Sequence, residues 1–196
     1  MNYTLVAYII CTAIIITILA QPQIMITSLR EESYEKHQAL NYWLVVNALS
    51  YAYNKSNPVK KFIDFLESEL NTLDPRIVEV PGATIKTLIV RLDHVEAVVV
   101  FNYSWGSINT HVLLASKILK TSSEYDERYN IVIVTAKIQI LSDRPIQVAF
   151  DALKGELLDV KYYPDQVYEL RIGIVPNLRA VILIQDSRGL KVVVRL

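Results

Sequence analysis

Charged side chains are missing from the first 29 residues of this chain: from Met1 to Leu29 there is no Asp, Glu, Lys, Arg or His. Cysteine is almost missing too, and since Cys11 stands alone an intrachain disulfide is excluded. Glycine is scarce, with 5 residues in 196, and no glycine-rich phosphate loop is present. The 20 basic and 20 acidic side chains balance, so no net field attracts nucleic acid, and we expect no nucleic-acid partner.

What the uncharged segment does contain is aliphatic residues, and these predict a membrane-spanning helix. A helix of about 20 apolar residues is long enough to cross a hydrocarbon layer of about 30 Å. We therefore predict a transmembrane or stem helix over residues 1–29 that contacts membrane lipid through residues 4–29. Two alternatives stay open: a secretory signal peptide cut between Ala20 and Gln21, and a helix buried in a protein core.

Three glycosylation sequons agree with a chain that is exported across or onto a membrane. They are Asn2-Tyr3-Thr4, Asn54-Lys55-Ser56 and Asn102-Tyr103-Ser104. We expect the N-terminus on the cytoplasmic side and the bulk of the chain outside, at the cell membrane as a single-pass protein.

Residues 30–75 have the apolar spacing of two helices. In the first, Leu40, Trp43, Leu44, Ala48 and Tyr51 fall at intervals of three and four residues, which predicts one buried, partly aromatic face. The second has a capping residue, Asn57, followed by proline at the first helical position, and it ends at Asp74-Pro75. Its apolar side is formed by Val59, Phe62, Ile63, Leu66 and Leu70.

From residue 76 onward the period of the pattern changes to two, which is typical of antiparallel strands. In residues 131–140, for example, Val132, Val134, Ala136, Ile138 and Ile140 alternate with more polar positions. Residues 107–120 fit a strand and a helix equally well. The predicted class is therefore α+β, with a transmembrane or stem helix over residues 1–29, two helices over 30–75 and an antiparallel β-sandwich-like domain over 76–196.

Four side chains suggest a metal site. His94 and Glu96 share one face of a strand, and Asp93 and His111 are possible neighbours. Three histidines without a paired metal-ligand spacing are more typical of solvated edge residues, so we assign no metal ligand.

Other groups of catalytic residue types have simple structural interpretations. Ser104 to Ser107 predicts a hairpin loop, since no glycine stands two residues before a serine as a nucleophile elbow requires. Ser116 and Lys117 are adjacent and point apart on a strand or a helix. The acidic run on the second helix predicts a solvated face. We assign no catalytic or cofactor-binding residue, expect no cofactor, and do not expect an enzyme.

The order of segments resembles the plan of type IV pilins and pseudopilins. An uncharged N-terminal stem, a helical continuation and an antiparallel C-terminal β domain follow one another, and Pro22 lies where many mature pilins bend their stem. The chain departs from that family at Leu5, where mature bacterial pilins usually carry glutamate, and in lacking a basic leader before the apolar run. The resemblance implies a subunit whose apolar stem packs into a filament core.

Three functions follow as expectations. The first is a membrane-anchored, extracytoplasmic structural or interaction protein of the cell surface, with protein partners or self-association. The second is a pilin-like filament subunit that packs through its apolar N-terminal helix. The third is an accessory factor of an envelope or secretion system.

Overall fold

The computed structural model describes residues 33–196 and divides the chain into two compact units, residues 1–40 and 41–196. In the first unit the described residues 33–40 are helical, and Nδ1 of His37 lies 2.6 Å from the carbonyl oxygen of Ser33 one turn earlier. The predicted segment 1–29 lies outside the described residues.

Two helices precede the strands. The first, α1, covers residues 33–52, and the unit boundary falls within it. The second, α2, covers Pro58–Thr72, and the side chain of Asn57 caps it by accepting the N–H of Lys60 at 3.4 Å. Burial of Phe62, Leu66 and Leu70 fixes the inner face of α2, as their spacing predicts.

The buried face of α1 is broader than its sequence spacing predicts. Leu44 and Ala48 are buried as expected, but Trp43, Asn47 and Tyr51 are exposed. The residues that are fully buried on α1 share neighbouring faces of the helix, and they are Asn41, Val45, Val46, Ala48, Leu49 and Ala52. This part of α1 is therefore a core element that leaves one narrow aromatic stripe in solvent.

Nine strands follow within the described residues, and every pairing between them is antiparallel. They are β1 (Gly82–Val90), β2 (His94–Tyr103), β3 (Gly106–Asp126), β4 (Ile131–Ser142), β5 (Val148–Lys154), β6 (Glu156–Tyr163), β7 (Val167–Ile174), β8 (Val181–Asp186) and β9 (Lys191–Arg195).

The strands form two sheets, one with the order β1-β2-β3-β4-β7-β6 and one with the order β5-β8-β9. The longest strand, β3, has 21 residues and pairs with β2 through its first half and with β4 through its second half. The core lies on the inner face of the larger sheet, where alternate residues of the central strands are buried, as in Val95, Ala97, Val99 and Phe101 of β2.

The predicted α+β class is wrong for residues 33–196, and the transmembrane or stem helix that it included falls on residues outside this range. The described residues are mostly antiparallel β, with 52% of them in strands and two short helices. One reason for the difference is that residues 107–120, whose sequence pattern fits a strand and a helix equally well, lie within β3. Among residues 33–196, neither helix combines the length and the apolar character that crossing a lipid bilayer requires.

A glycine between β5 and β6 gives a direct test of this packing. Gly155 has a φ of +101°, and a Cβ added there would lie 2.6 Å from Cγ2 of Ile174 and 2.9 Å from the carbonyl oxygen of Gly173. Because backbone strain and overpacking add, we expect Gly155→Ala to lower the free energy of unfolding by about 2 to 4 kcal/mol. Denaturant titration of the full chain measures this change.

The matched control is Gly82→Ala. A Cβ at Gly82 meets no atom within 4 Å, and its backbone is not in the left-handed region. We expect this variant to stay within about 1 kcal/mol of the original chain. Equal effects of the two substitutions would contradict the close approach of β7 to Gly155.

Candidate functional site

The most strongly buried charges in the described part of the chain form one group, here called the Arg188 cluster: Tyr42, Asp143, Asp186 and Arg188. Tyr42 belongs to α1, Asp143 follows β4, and the two others lie at the end of β8 and in the turn to β9. The side chains of Arg188 and Asp143 are 6% exposed and that of Asp186 is 0% exposed. The cluster therefore joins α1, the loop that leaves the larger sheet and the smaller sheet.

Arg188 uses its whole guanidinium group within the cluster. Its Nη1 donates to the hydroxyl of Tyr42 at 2.6 Å and to Oδ1 of Asp143 at 2.5 Å. Its Nε donates to Oδ2 of Asp186 at 2.7 Å, and its Nη2 donates to the carbonyl oxygen of Leu113 on β3 at 2.8 Å. The planar fork of arginine suits such a site, because it can serve several acceptors at fixed angles.

The two carboxylates also hold backbone groups in place. Oδ1 of Asp143 accepts the N–H of Leu113 at 2.8 Å, which fixes the loop after β4 against β3. Oδ1 of Asp186 accepts the N–H groups of Arg188 at 2.9 Å and Leu190 at 3.0 Å, which shapes the turn from β8 to β9. Each carboxylate therefore pairs with a charge and organises a loop at the same time.

The tyrosine completes the cluster from the side of the helix. Its hydroxyl donates to Oδ2 of Asp143 at 3.0 Å and accepts from Arg188. On its ring lies the guanidinium carbon of Arg144, 3.4 Å from the centroid, and Nε of Arg144 also donates to Asp143 at 3.2 Å. Arg144 is 53% exposed, so it covers the cluster on the solvent side.

The electrostatics of the cluster favour its ionised form. Burial acts to raise the pKa of Asp143, but hydrogen bonds from the N–H of Leu113 and from Arg188 outweigh burial and lower this pKa below its ordinary value of 3.8. Burial acts to lower the pKa of Arg188, but the hydrogen bonds with Tyr42 and Asp143 and the charge of Asp186 raise it above its ordinary value. Both groups are charged at neutral pH, and the chemistry that they support is structural: Arg188 is paired with both buried carboxylates, and the exposed Arg144 also contacts Asp143.

Sequence reasoning missed these residues. Asp143-Arg144 and the stretch from Asp186 to Gly189 consist of residue types that are common in turns between strands, and this composition does not indicate a buried ion pair. The local signal is weak, because the partners of Arg188 lie 45, 75 and 146 positions away in the chain. The one local signal is the spacing of Asp186 and Arg188, because an acidic residue two positions before an arginine in the same turn can pair with it.

The second polar group lies on the outer face of the larger sheet. Nε2 of His94 is 3.1 Å from Oε2 of Glu96, and Nε2 of His111 is 3.1 Å from Oε1 of the same carboxylate. The structure thus brings three of the four suggested metal-site residues together, with 22 to 45% of each side chain exposed. Asp93 instead lies in the turn between β1 and β2, where its carbonyl oxygen accepts the N–H of Ser116 at 3.1 Å.

This second group behaves as a cross-strand hydrogen-bond bridge. Glu96 accepts from an imidazole on its own strand and from one on β3, which links the two strands on their solvent side. Within residues 33–196, no set of three or more His, Cys, Asp or Glu side chains is arranged to hold a metal ion.

The remaining sequence candidates do not come together. Ser104 and Trp105 lie in the tight turn between β2 and β3, and Ser116 and Lys117 are neighbours along β3. Asp64 and Glu67 are exposed on α2. An open groove of about 400 Å³ lies at the far end of β3 and β4, and hydroxyl and aliphatic side chains such as Ser123, Val132 and Leu178 line it.

Comparison of the chain with protein-family models, with curated proteins and with solved structures finds no significant match.

Arg188→Met tests the structural role of the Arg188 cluster. Removing the guanidinium leaves Asp186 as a buried carboxylate without a countercharge and Asp143 with only the exposed Arg144, so we expect a loss of about 3 to 5 kcal/mol in the free energy of unfolding. Arg144→Met is the matched control and should cost about 1 kcal/mol or less, since Arg144 is exposed. Denaturant titration of the full chain distinguishes the two, and similar losses would contradict the assignment.

The pKa of Asp143 predicts how stability changes in acid. Because this pKa is lower in the folded chain than in the unfolded chain, its stabilisation is complete well above pH 3.8. Stability should fall as the pH decreases through 3.8 and on towards the folded pKa. Asp143→Asn should flatten this acid limb in urea titrations between about pH 5 and pH 2, whereas Asp64→Asn on the exposed side of α2 should not. An acid limb unchanged by Asp143→Asn would refute this origin.

Proposed function

We propose that this chain is a membrane-anchored, extracytoplasmic structural or interaction protein of the cell surface. The observation that carries the proposal is the distribution of charge: all 20 basic and all 20 acidic side chains come after residue 29. An apolar segment of this length gains free energy in lipid, whereas each charged side chain at the centre of a bilayer costs several kcal/mol. Residues 4–29 are thus the part suited to lipid, and the remainder is suited to water.

The surface of the β-rich unit supports a binding role. At the edge strand β6, Val160 is 39% exposed and Tyr162 is 65% exposed. Each stands opposite a residue of β7, Leu170 and Tyr168, whose side chains belong to the inner face. The apolar inner face therefore continues past the covered core to an open edge, and such patches with tyrosine are typical of protein interfaces.

The polar clusters support a structural role rather than catalysis. In the Arg188 cluster each charge is directed at another member of the cluster or at a backbone group that it positions. In the His94–Glu96–His111 group both carboxylate oxygens accept from an imidazole. Groups engaged in this way hold strands and loops in place. We propose that the β-rich unit binds protein partners or a second copy of the chain.

A pilin-like filament subunit is the second candidate. The feature that favours it is the order of parts: an uncharged segment, then a helix whose residues 41–52 pack into an antiparallel β unit. A filament requires two different surfaces of the subunit to meet head to tail. The open edge of β6 and the aromatic stripe of α1, with Trp43 50% exposed, supply two such surfaces.

Surface labelling of intact native cells tests the main proposal. We expect a membrane-impermeant amine reagent to modify lysines after residue 29, and the chain to stay with the membrane after carbonate extraction. Labelling that requires cell lysis, or release by carbonate, would refute the anchored, extracytoplasmic assignment. Electron micrographs of sheared cell surface decide the second candidate, because a filament subunit must appear in polymers.

A further inference from the structure

The turn between α1 and α2 carries one of the three sequons in an open position. Asn54, Lys55 and Ser56 are all exposed, and Asn54 adopts the left-handed conformation with a φ of 60°. Asparagine tolerates this conformation better than other residues with a side chain. The side chains of Asn54 and Ser56 form no hydrogen bond within the described residues, so the acceptor nitrogen Nδ2 and the hydroxyl that a sequon requires both face solvent.

The turn is nevertheless held in a defined place. The N–H of Tyr53 bonds to the carbonyl oxygen of Leu49 at 2.9 Å, and that of Lys55 bonds to the carbonyl oxygen of Ala52 at 3.2 Å. The hydroxyl of Tyr53 donates to the carbonyl oxygen of Leu92 at 3.1 Å. Burial and the nearby charge of Asp93 raise the pKa of Tyr53 to about 12, so this donor keeps its proton.

The second described sequon is built into the sheet. Asn102 is paired with Gly82 on one side and with Ser107 on the other, and its Nδ2 donates to Oγ1 of Thr84 at 3.4 Å. The N–H of Ser104 is bonded to Oε1 of Glu79 at 2.5 Å. Backbone pairing holds Asn102 and Tyr103 extended in β2, and Ser104, whose N–H is bonded to Glu79, begins the tight turn to β3. The first sequon, at Asn2, lies outside the described residues.

We infer that Asn54 is a site of N-linked glycosylation and that its occupancy exceeds that of Asn102. The co-reactant is an oligosaccharide linked to a polyprenyl phosphate or diphosphate. In the transfer a bond forms between Nδ2 of Asn54 and the anomeric carbon of the first sugar, and the bond from that carbon to the phosphate oxygen breaks. The amide loses one proton to solvent, and the polyprenyl phosphate or diphosphate leaves with the electron pair. This inference rests on the proposed extracytoplasmic location.

Two variants at Ser56 test the inference without altering the strained Asn54. Ser56→Ala destroys the sequon, whereas Ser56→Thr keeps it, and both change one exposed side chain. The full chain is isolated from native cells after impermeant surface labelling and digested after glutamate. Mass spectrometry then follows peptide 36–67, which contains Asn54, and peptide 97–124, which contains Asn102.

We expect peptide 36–67 of the labelled protein to carry the mass of added sugar residues, with fragment ions that place them on Asn54. Ser56→Ala should abolish this mass, and Ser56→Thr should retain it. The inference is overturned, with the proposed function intact, by three results: an unmodified peptide 36–67 in surface-labelled protein, sugar that persists in Ser56→Ala, or higher occupancy at Asn102. Protein that no impermeant reagent reaches refutes the proposed location and this inference together.

Discussion

The pairing of Arg188 with two buried carboxylates is the interaction on which the arrangement of the other parts depends. Its guanidinium contacts α1 through Tyr42, the larger sheet through Leu113 and the smaller sheet through Asp186. A buried charge is strongly unfavourable without its partner, so these contacts stabilise the fold only when all of them form together. The helix, the loop after β4 and the turn before β9 must therefore adopt their native positions as a set.

The edge strands of the two sheets limit how this unit can associate with another chain. Three of the edge strands carry a bulge, at Lys86 in β1, Leu153 in β5 and Leu158 in β6. The fourth, β9, approaches the β1–β2 turn, where the N–H of Val193 bonds to the carbonyl oxygen of Leu92 at 2.5 Å. Bulges twist and interrupt the row of backbone donors and acceptors that a foreign strand would use. Association of this unit is thus directed towards side-chain contacts rather than towards continuous strand pairing.

Local features could be predicted from the sequence, and features that depend on distant partners could not. The start of α2 was predictable because Asn57 and Pro58 act on backbone groups within one turn. The burial of Ala136 and Ile138 followed from alternation in one strand. For α1, Trp43 and Tyr51 were expected inside, but the helix is apolar on several faces and only the packed structure selects Val45 and Leu49. Residues 107–120 fit both the helical and the strand periodicity. They form a strand because β3 pairs with β2 and with β4. The Arg188 cluster has almost no local pattern, since its members come from three separate segments: α1, the loop after β4 and the turn from β8 to β9.

The exposed sequon at Asn54 lies in a turn that has its own contacts and is remote from the Arg188 cluster. Along α1, Tyr42 and Ala52 are ten residues apart, which at 1.5 Å per residue is about 15 Å. Glycosylation leaves the side-chain amide of Asn54 uncharged, so at this separation it has little electrostatic effect on the cluster. The turn keeps its own backbone bonds and its contact through Tyr53 to Leu92. A bulky, solvated group on Asn54 can therefore project from a fixed point of the surface while the buried charges that hold the fold together remain undisturbed.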